Sequence, residues 1–313
     1  MVTGGCGFIG SHLVRQLLER GAKRIVVIDS LRYGDRANLG QLSAAVEVVP
    51  YTLGTDAPAR LREKMDGVNH LFHLAAEKHN QSKDSPLEVL RSNIEGTYTL
   101  FDIAARSGVE KIVFTSSLYA YGRMQGPPFV EDELPQPRTV YGISKLCGEH
   151  LLAHINAEHG TAYNILRYLF VYGPRQFAGM GYKSVIVRNF ERLLADLPPT
   201  VYGDGTQTLD YIFVDDAVEA TIRALESEVS GEVFNIGSGV PTTVNALIDL
   251  MSAIAGSTRP RSVEPADWTA GSFRVADITK ARRVLGWQPR TTLADGLERT
   301  YRWMAAPRSG AGG

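Results

Sequence analysis

Short runs of β-branched and aromatic residues recur along the first half of the chain, at Arg24 to Asp29, Val46 to Pro50, His70 to Leu74, Lys111 to Thr115 and Tyr163 to Tyr168. Between them the apolar positions fall at helical spacing, over Ser11 to Arg20, Pro86 to Ser107 and Tyr141 to His159. Continuous apolar strands separated by amphipathic helices predict a parallel sheet covered on both faces, the doubly wound α/β arrangement. Beyond Gly173 the pattern loosens into helices at Ser184 to Ala195, Thr243 to Ala255 and Leu293 to Met304, with turns at Pro198-Pro199 and Gly203-Asp204-Gly205. A second, smaller α/β domain is therefore expected, its segments interleaved with the end of the sheet. The division predicted is 1–168 with about 206–236 for the sheet domain, about 169–205 with 237–306 for the smaller one, and a flexible tail over 307–313. Only Met1, Val2 and Thr3 precede the first glycines. A central strand normally has about five residues, so a late start or a few missing residues are expected there.

Composition narrows the functional classes. With 34 acidic and 33 basic side chains in 313 residues and 44% hydrophobic content, the chain can bury a large core, and its charge offers no reason to bind nucleic acid or an anionic membrane. It holds no apolar run near the roughly 18 residues of a membrane span, nor a basic N-terminal region leading into one. A protein of the cytoplasm is expected. Cys6 and Cys147 lie too far apart in sequence to suggest a disulfide framework or zinc cluster. His150 and His154, four apart on a predicted helix, lack a third ligand, so no metal site is expected. Glycine stands out: 31 residues, against an average near 7%.

Three of those glycines carry chemistry. Gly4, Gly7 and Gly10 follow the first strand and open a helix containing Phe8 and Ile9, and Asp29 ends the next strand about twenty residues on. Glycine permits the tight turn and the close approach of a pyrophosphate to the helix N-terminus. Asp29, followed by Ser30, would accept hydrogen bonds from the adenosine ribose. Its charge would repel a 2′-phosphate, so NAD is expected over NADP, although Arg32 is a nearby cation. Farther on, Tyr141 and Lys145 are four apart at the start of a helix and share one face. Lys145, together with the positive nicotinamide ring, is expected to lower the Tyr141 pKa and make the phenol a base. The pair follows Ser116-Ser117, where hydroxyls sit just past a parallel strand, the place where open α/β sheets bind ligands.

These landmarks resemble the extended short-chain dehydrogenase/reductases that act on nucleotide-diphosphate sugars. The resemblance also rests on His73-Leu74-Ala75-Ala76, Asn93 with Gly96-Thr97, Tyr121-Gly122, Leu166-Arg167-Tyr168, Val171-Tyr172-Gly173-Pro174-Arg175, Tyr202-Gly203-Asp204-Gly205 and Ala276-Asp277-Ile278. It implies a Rossmann domain with tightly bound, recycled NAD and a smaller nucleotide-sugar domain. Ser117 and Tyr141 would act on the sugar hydroxyl and Lys145 on the nicotinamide ribose. Leu74, Ala75 and Ala76 would lie along the cofactor, with Asn93 and Tyr168 also on that side. The long helices Pro86 to Ser107 and Tyr141 to His159 resemble the pair that forms a four-helix homodimer bundle.

The family's reactions share an initial oxidation of the sugar to a ketone and then diverge. Dehydratases carry Asp-Glu directly after the catalytic hydroxyl, and decarboxylases usually keep the Glu. Here Leu118 and Tyr119 stand there and supply no carboxylate. C4 epimerisation, which needs neither acid, is the expected reaction, with dehydration or decarboxylation the alternative. Glu77-Lys78-His79, similar to the Glu-x-His of 4,6-dehydratases, points the other way, and a dinucleotide-sensing protein without turnover is the reading from another class. On the substrate side, the family's Asn and Arg contacts to the diphosphate are replaced by Phe170 and Leu209. Lys183, Arg188, Asn189 and Arg274 are candidate replacement donors. The usual adenine-side Asp is replaced by Leu53, and His79, Tyr119 and Tyr202 are further candidate substrate contacts.

Overall fold

The computed structural model describes residues 1–122, 128–176, 183–267 and 269–306. The expected tail, 307–313, lies outside the described residues. The main sheet is built from β1 (Val2–Thr3), β2 (Val26–Asp29), β3 (Glu47–Pro50), β4 (His70–His73), β5 (Lys111–Ser117), β6 (Ala162–Tyr168) and β7 (Glu232–Ile236). Its seven strands run in the order β7-β6-β5-β4-β1-β2-β3, all parallel. The order reverses between β1 and β4, and the crevice at that switch point is where a doubly wound sheet takes its ligand.

The helices that frame this crevice are α1 (Phe8–Glu19), α2 (Thr97–Arg106), α3 (Val140–His159), α4 (Val185–Leu194), α5 (Val214–Glu226), α6 (Val244–Ile254) and α7 (Leu293–Ala305). Thr139, Ser184, Thr243 and Thr292 cap α3, α4, α6 and α7 with side-chain oxygens that accept from backbone N–H groups of the first turn. One predicted helix is not continuous. Pro86 to Ser107 divides into Pro86–Leu90, a π-helical turn at Arg91–Gly96, and α2. At Gly96 a Cβ would lie 2.6 Å from the Gly54 nitrogen, so the turn can pack there only with glycine.

The strand stub is real but short: Val2 pairs with Val27 and Phe72, and Thr3 with Ile28 and His73. The short strands Phe170–Tyr172 and Tyr211–Phe213 pair in parallel beyond the sheet. Thr200–Tyr202 pairs with Ser262–Glu264, and Thr208–Leu209 lies between Thr242–Thr243 and Phe273–Arg274. One hydrophobic cluster runs from Val2 and Leu13 through Phe213 and Phe234 to Leu297, joining these small sheets to the large one. A second cluster, with Leu61, Phe101 and Ile112, fills the opposite face. Among the described residues no helix is long and apolar enough to cross a membrane.

Candidate active site

The dinucleotide cradle follows from three glycines. Gly4 has φ +71°, and a Cβ there would lie 3.0 Å from the Ala75 nitrogen. At Gly10 a Cβ would stand 2.1 Å from the Gly4 carbonyl oxygen, a clash with backbone that cannot relax. Gly7 caps α1, which begins at Phe8, three residues earlier than its apolar spacing predicts. The helix N-terminus thus comes directly off β1, with free N–H groups for an anion. The other rim is pinned from beneath. Thr3 Oγ1 accepts from Leu74 N at 3.2 Å and Ala75 N at 3.1 Å, and His73 bridges Thr3 and Thr97 at 2.7 and 2.9 Å. Full burial holds that imidazole well below its ordinary pKa, so it is neutral.

Gly4, Gly7, Gly10, Leu74 and Ala75 line a cleft of about 450 Å³ with Phe8, Ile9, Asp29, Ser30, Ala76, Tyr168, Ser117, Tyr141 and Lys145. Asp29 is 6% exposed and its pKa is raised, mainly by burial. Its two oxygens accept from Cys6 N and Leu31 N, both at 2.9 Å, leaving further lone pairs for the cleft. Sequence reasoning did not point to Gly34, where a Cβ would sit 2.9 Å from the Asp29 carboxylate.

Several expected contacts go elsewhere. Arg32 does not line the cleft; its guanidinium is bonded to Glu88 at 2.9 Å and Glu77 at 3.3 Å. Asn93, 4% exposed, holds the backbone of Glu77 through bonds of 2.8 and 3.0 Å and donates to Ser144 at 3.2 Å. It fixes the loop after β4 rather than facing the cleft, and the π-turn brings it there. Asn189 is fully buried, clamping both backbone groups of Thr200 at 2.7 and 3.2 Å. Lys183 is spent on Glu191, at 2.7 and 2.9 Å. In each case a neighbouring polar group brought close by the fold takes the side chain.

The catalytic candidates do meet. Ser117 ends β5 and lines the cleft together with Tyr141. Lys145, 4% exposed, donates from Nζ to the Thr115 carbonyl at 2.8 Å and lies 5.9 Å from the Tyr141 ring centroid. Burial pushes the Tyr141 phenol up to about 12, with Ser117 opposing and Tyr119 adding to the rise. Burial also pushes Lys145 down to about 7, opposed by Glu149 one turn on. Glu149 is buried with Arg167, bonded at 2.7 and 3.0 Å, and accepts from Ser116 Oγ at 2.5 Å. Leu118 is buried, whereas Tyr119 turns to the site and stacks on His79 with centroids 4.3 Å apart. The Tyr119 and Tyr141 rings meet edge to face at 5.8 Å, and Arg274 lies 5.7 Å from Tyr119. His79 is pushed down to about 4, chiefly by burial, with Lys83 and Arg274 adding to it. Among the described residues lining this cleft the carboxylates are Asp29 and Glu77, and Glu77 is bonded to Arg32 and the Tyr33 hydroxyl, each at 3.3 Å.

A glycine cradle at the switch point of a parallel sheet, opposite a Ser-Tyr-Lys cluster, defines a dinucleotide-dependent oxidoreductase-type site. A sequence model of the NAD dependent epimerase/dehydratase family matches residues 1–237, and the chain belongs to that family. It is 37% identical over 308 residues to UDP-glucose 4-epimerase of Mycolicibacterium smegmatis, covering 96% of each chain. It is 35% identical over 319 residues to dTDP-glucose 4,6-dehydratase of Streptomyces griseus, covering 99% of this chain and 94% of that one. Among solved structures, the UDP-glucose 4-epimerase of Thermotoga maritima with UDP-glucose superposes with a TM-score of 0.90 at 35% identity over 97% of both chains. NAD is the cofactor: related structures contain it, and the cradle described here accommodates it.

Proposed function

We propose that the chain is a C4 epimerase of a nucleotide sugar. The observation that carries this reading is the pair Leu118 and Tyr119: directly after the catalytic hydroxyl, one side chain is apolar and buried and the other is a phenol stacked on a neutral imidazole. Elimination needs a base beside the ketone and an acid for the departing hydroxyl. Inversion needs neither.

The cleft residues would hold NAD by the glycine turn, Asp29 and Lys145. When bound, NAD would supply the acceptor and donor for the C4 hydride and positive charge beside the phenol. Tyr141 Oη receives the C4 hydroxyl proton as the ketone forms, with Ser117 positioned to hydrogen-bond the same oxygen. Lys145, anchored to Thr115, brings positive charge close to the phenolate and opposes the effect of burial on Tyr141. Once the keto sugar has turned over in the cleft, Tyr141 Oη would return the proton to the C4 oxygen.

The test is incubation with UDP-, dTDP-, GDP- and CDP-sugars in D₂O, followed by NMR. An inverted C4 with no carbon-bound deuterium is expected; loss of water or CO₂ from every accepted substrate would sink the reading. The same family resemblance supports a homodimer. Its face would be Leu87, 74% exposed, Tyr98, 42%, and Ile143, 46%, on the helices expected to pair.

A further inference from the structure

Beyond Ser117 and Tyr119 the cleft opens into a second cavity of about 260 Å³ lined by Phe170, Arg188, Tyr202 and Leu209, on the side expected to take the sugar nucleotide. Substrate and product must pass through that half at every turnover. The cofactor half faces the opposite demand in a reaction that returns its hydride to the same sugar. Loss of the reduced cofactor part-way would strand the sugar as a ketone.

The cofactor half is bridged. β2 and β4 flank β1 in the sheet, so the loops that follow them approach each other over the turn from β1 into α1. Tyr33 and Gly34 line the cleft from the first loop, and Glu77 and Lys78 from the second. The two loops touch. Glu77 accepts from Arg32 Nη1 and from the Tyr33 hydroxyl, each at 3.3 Å, and Lys78 Nζ stands 4.3 Å from the Tyr33 ring centroid. Arg32 Nη1 also donates to Glu88 at 2.9 Å. The two sides are supported differently. Glu77 is 8% exposed, and its backbone is fixed by Asn93, which is itself bonded to Ser144 on α3. The Arg32 side chain is 47% exposed and follows Leu31, whose φ of +58° is a left-handed conformation that a branched side chain seldom adopts. Leu31 N donates to Asp29 at 2.9 Å and Asp35 N to the Cys6 carbonyl at 3.0 Å, so the span from Ser30 to Gly34 is held at both ends. Glu77 is thus a fixed post, and Arg32 an arm whose contacts are charged, partly in water and individually weak.

We propose that Arg32, closed on Glu77 and Glu88, latches the two loops across the cofactor half of the cleft and sets how fast NAD exchanges with solution. Arg32 does not line the cleft, and its guanidinium is spent on the two carboxylates, so it adds nothing directly to the affinity for NAD. Its contacts must open for the cofactor to pass in either direction. Entry and release are therefore slowed alike, and their quotient is preserved. Arg32 and Glu77 become cofactor-retaining residues, not catalytic ones. The inference needs only that NAD is the cofactor and holds whichever reaction follows.

The test loads the protein with radiolabelled NAD and follows its release into an excess of unlabelled NAD, with affinity measured separately by equilibrium dialysis. Arg32→Ala is expected to speed release about fivefold or more and to leave the dissociation constant within about threefold of wild type. The double variant Glu77→Gln/Glu88→Gln should release NAD as fast as Arg32→Ala. Adding Arg32→Ala to it should change the rate by no more than about twofold, because the three side chains act as a unit. Raising the salt from about 0.1 to about 1 M should speed release from wild type more than from Arg32→Ala. Release from Arg32→Ala that is less than about fivefold faster overturns the proposal, as does a loss of affinity beyond about threefold, which would make Arg32 a direct cofactor contact. A double variant that stays at the wild-type rate, or an equal salt response in both proteins, overturns it too. Should the double variant not fold, Arg32→Ala and the salt series decide. None of these readouts needs turnover, so failure of the latch is separable from failure of the epimerase reading, which the NMR products test.

Discussion

Lys145 Nζ donates to the carbonyl oxygen of Thr115 at 2.8 Å, which ties a fully buried ammonium to the end of the strand that carries Ser117. Its folded pKa is pushed down to about 7, against 10.5 for an unperturbed lysine. Between those values the unfolded chain holds a proton that the folded chain lacks, so stability rises with pH. Below about pH 7 both states are protonated and the cost of burying the charge is fully expressed.

The melting temperature of wild type is therefore expected to rise from pH 7 to 9, and that of Lys145→Met to change less over the same range. The Met1 amino group, lowered to about 5 by burial, contributes with the same sign up to about pH 8. The difference between the two proteins isolates Lys145. Equal slopes by scanning calorimetry would contradict the assignment.

Gly10→Ala should abolish cofactor binding. The added methyl meets the Gly4 carbonyl at 2.1 Å, and relief requires the turn itself to open. A loss of NAD affinity on the order of a hundredfold or more is expected by fluorescence titration, several kcal/mol of misfit. Retention of wild-type affinity in a folded variant would show that the cradle is not where the pyrophosphate lies.

Cofactor choice is expected to depend on Asp29 and not on Arg32. A carboxylate in the cleft repels a 2′-phosphate, a like-charge penalty of several kcal/mol, on the order of a hundredfold. Arg32 is held away by Glu77 and Glu88. Asp29→Ser should narrow the preference for NAD over NADP, and Arg32→Ala should leave it unchanged within about twofold. A collapse of the preference in Arg32→Ala would reverse these roles.

Self-association is a further expectation. Leu87 and Ile143 are exposed on adjacent helices, and charge placed there would be desolvated in a dimer. Leu87→Glu/Ile143→Glu is expected to sediment as a monomer at concentrations where wild type is a dimer. A wild-type monomer would remove the proposal.

Periodicity revealed the sheet because buried parallel strands are apolar throughout, and Tyr141 and Lys145 were legible because helix geometry alone puts them on one face. Gly4, Gly7 and Gly10 were legible for the same local reason. Roles set by distant partners were not. Arg32, Asn93, Lys183 and Asn189 are polar residues in suggestive places, yet each is taken by a group that sequence spacing does not reveal: Glu88, the Glu77 backbone, Glu191 and Thr200. The effect of burial on Tyr141 is not legible in the sequence, because burial is a property of the whole fold, whereas the spacing to Lys145 is local.

The most direct measurement follows the hydrogen at C4. An accepted nucleotide sugar deuterated at C4 is converted in ordinary water, and its product is examined by NMR. Reversible oxidation at C4 with Tyr141 as the base predicts an inverted product that keeps deuterium at C4, and a rate lowered about 10² to 10⁴-fold in Tyr141→Phe. Washout of the label into solvent, or its appearance at C6 with loss of water, would contradict the account.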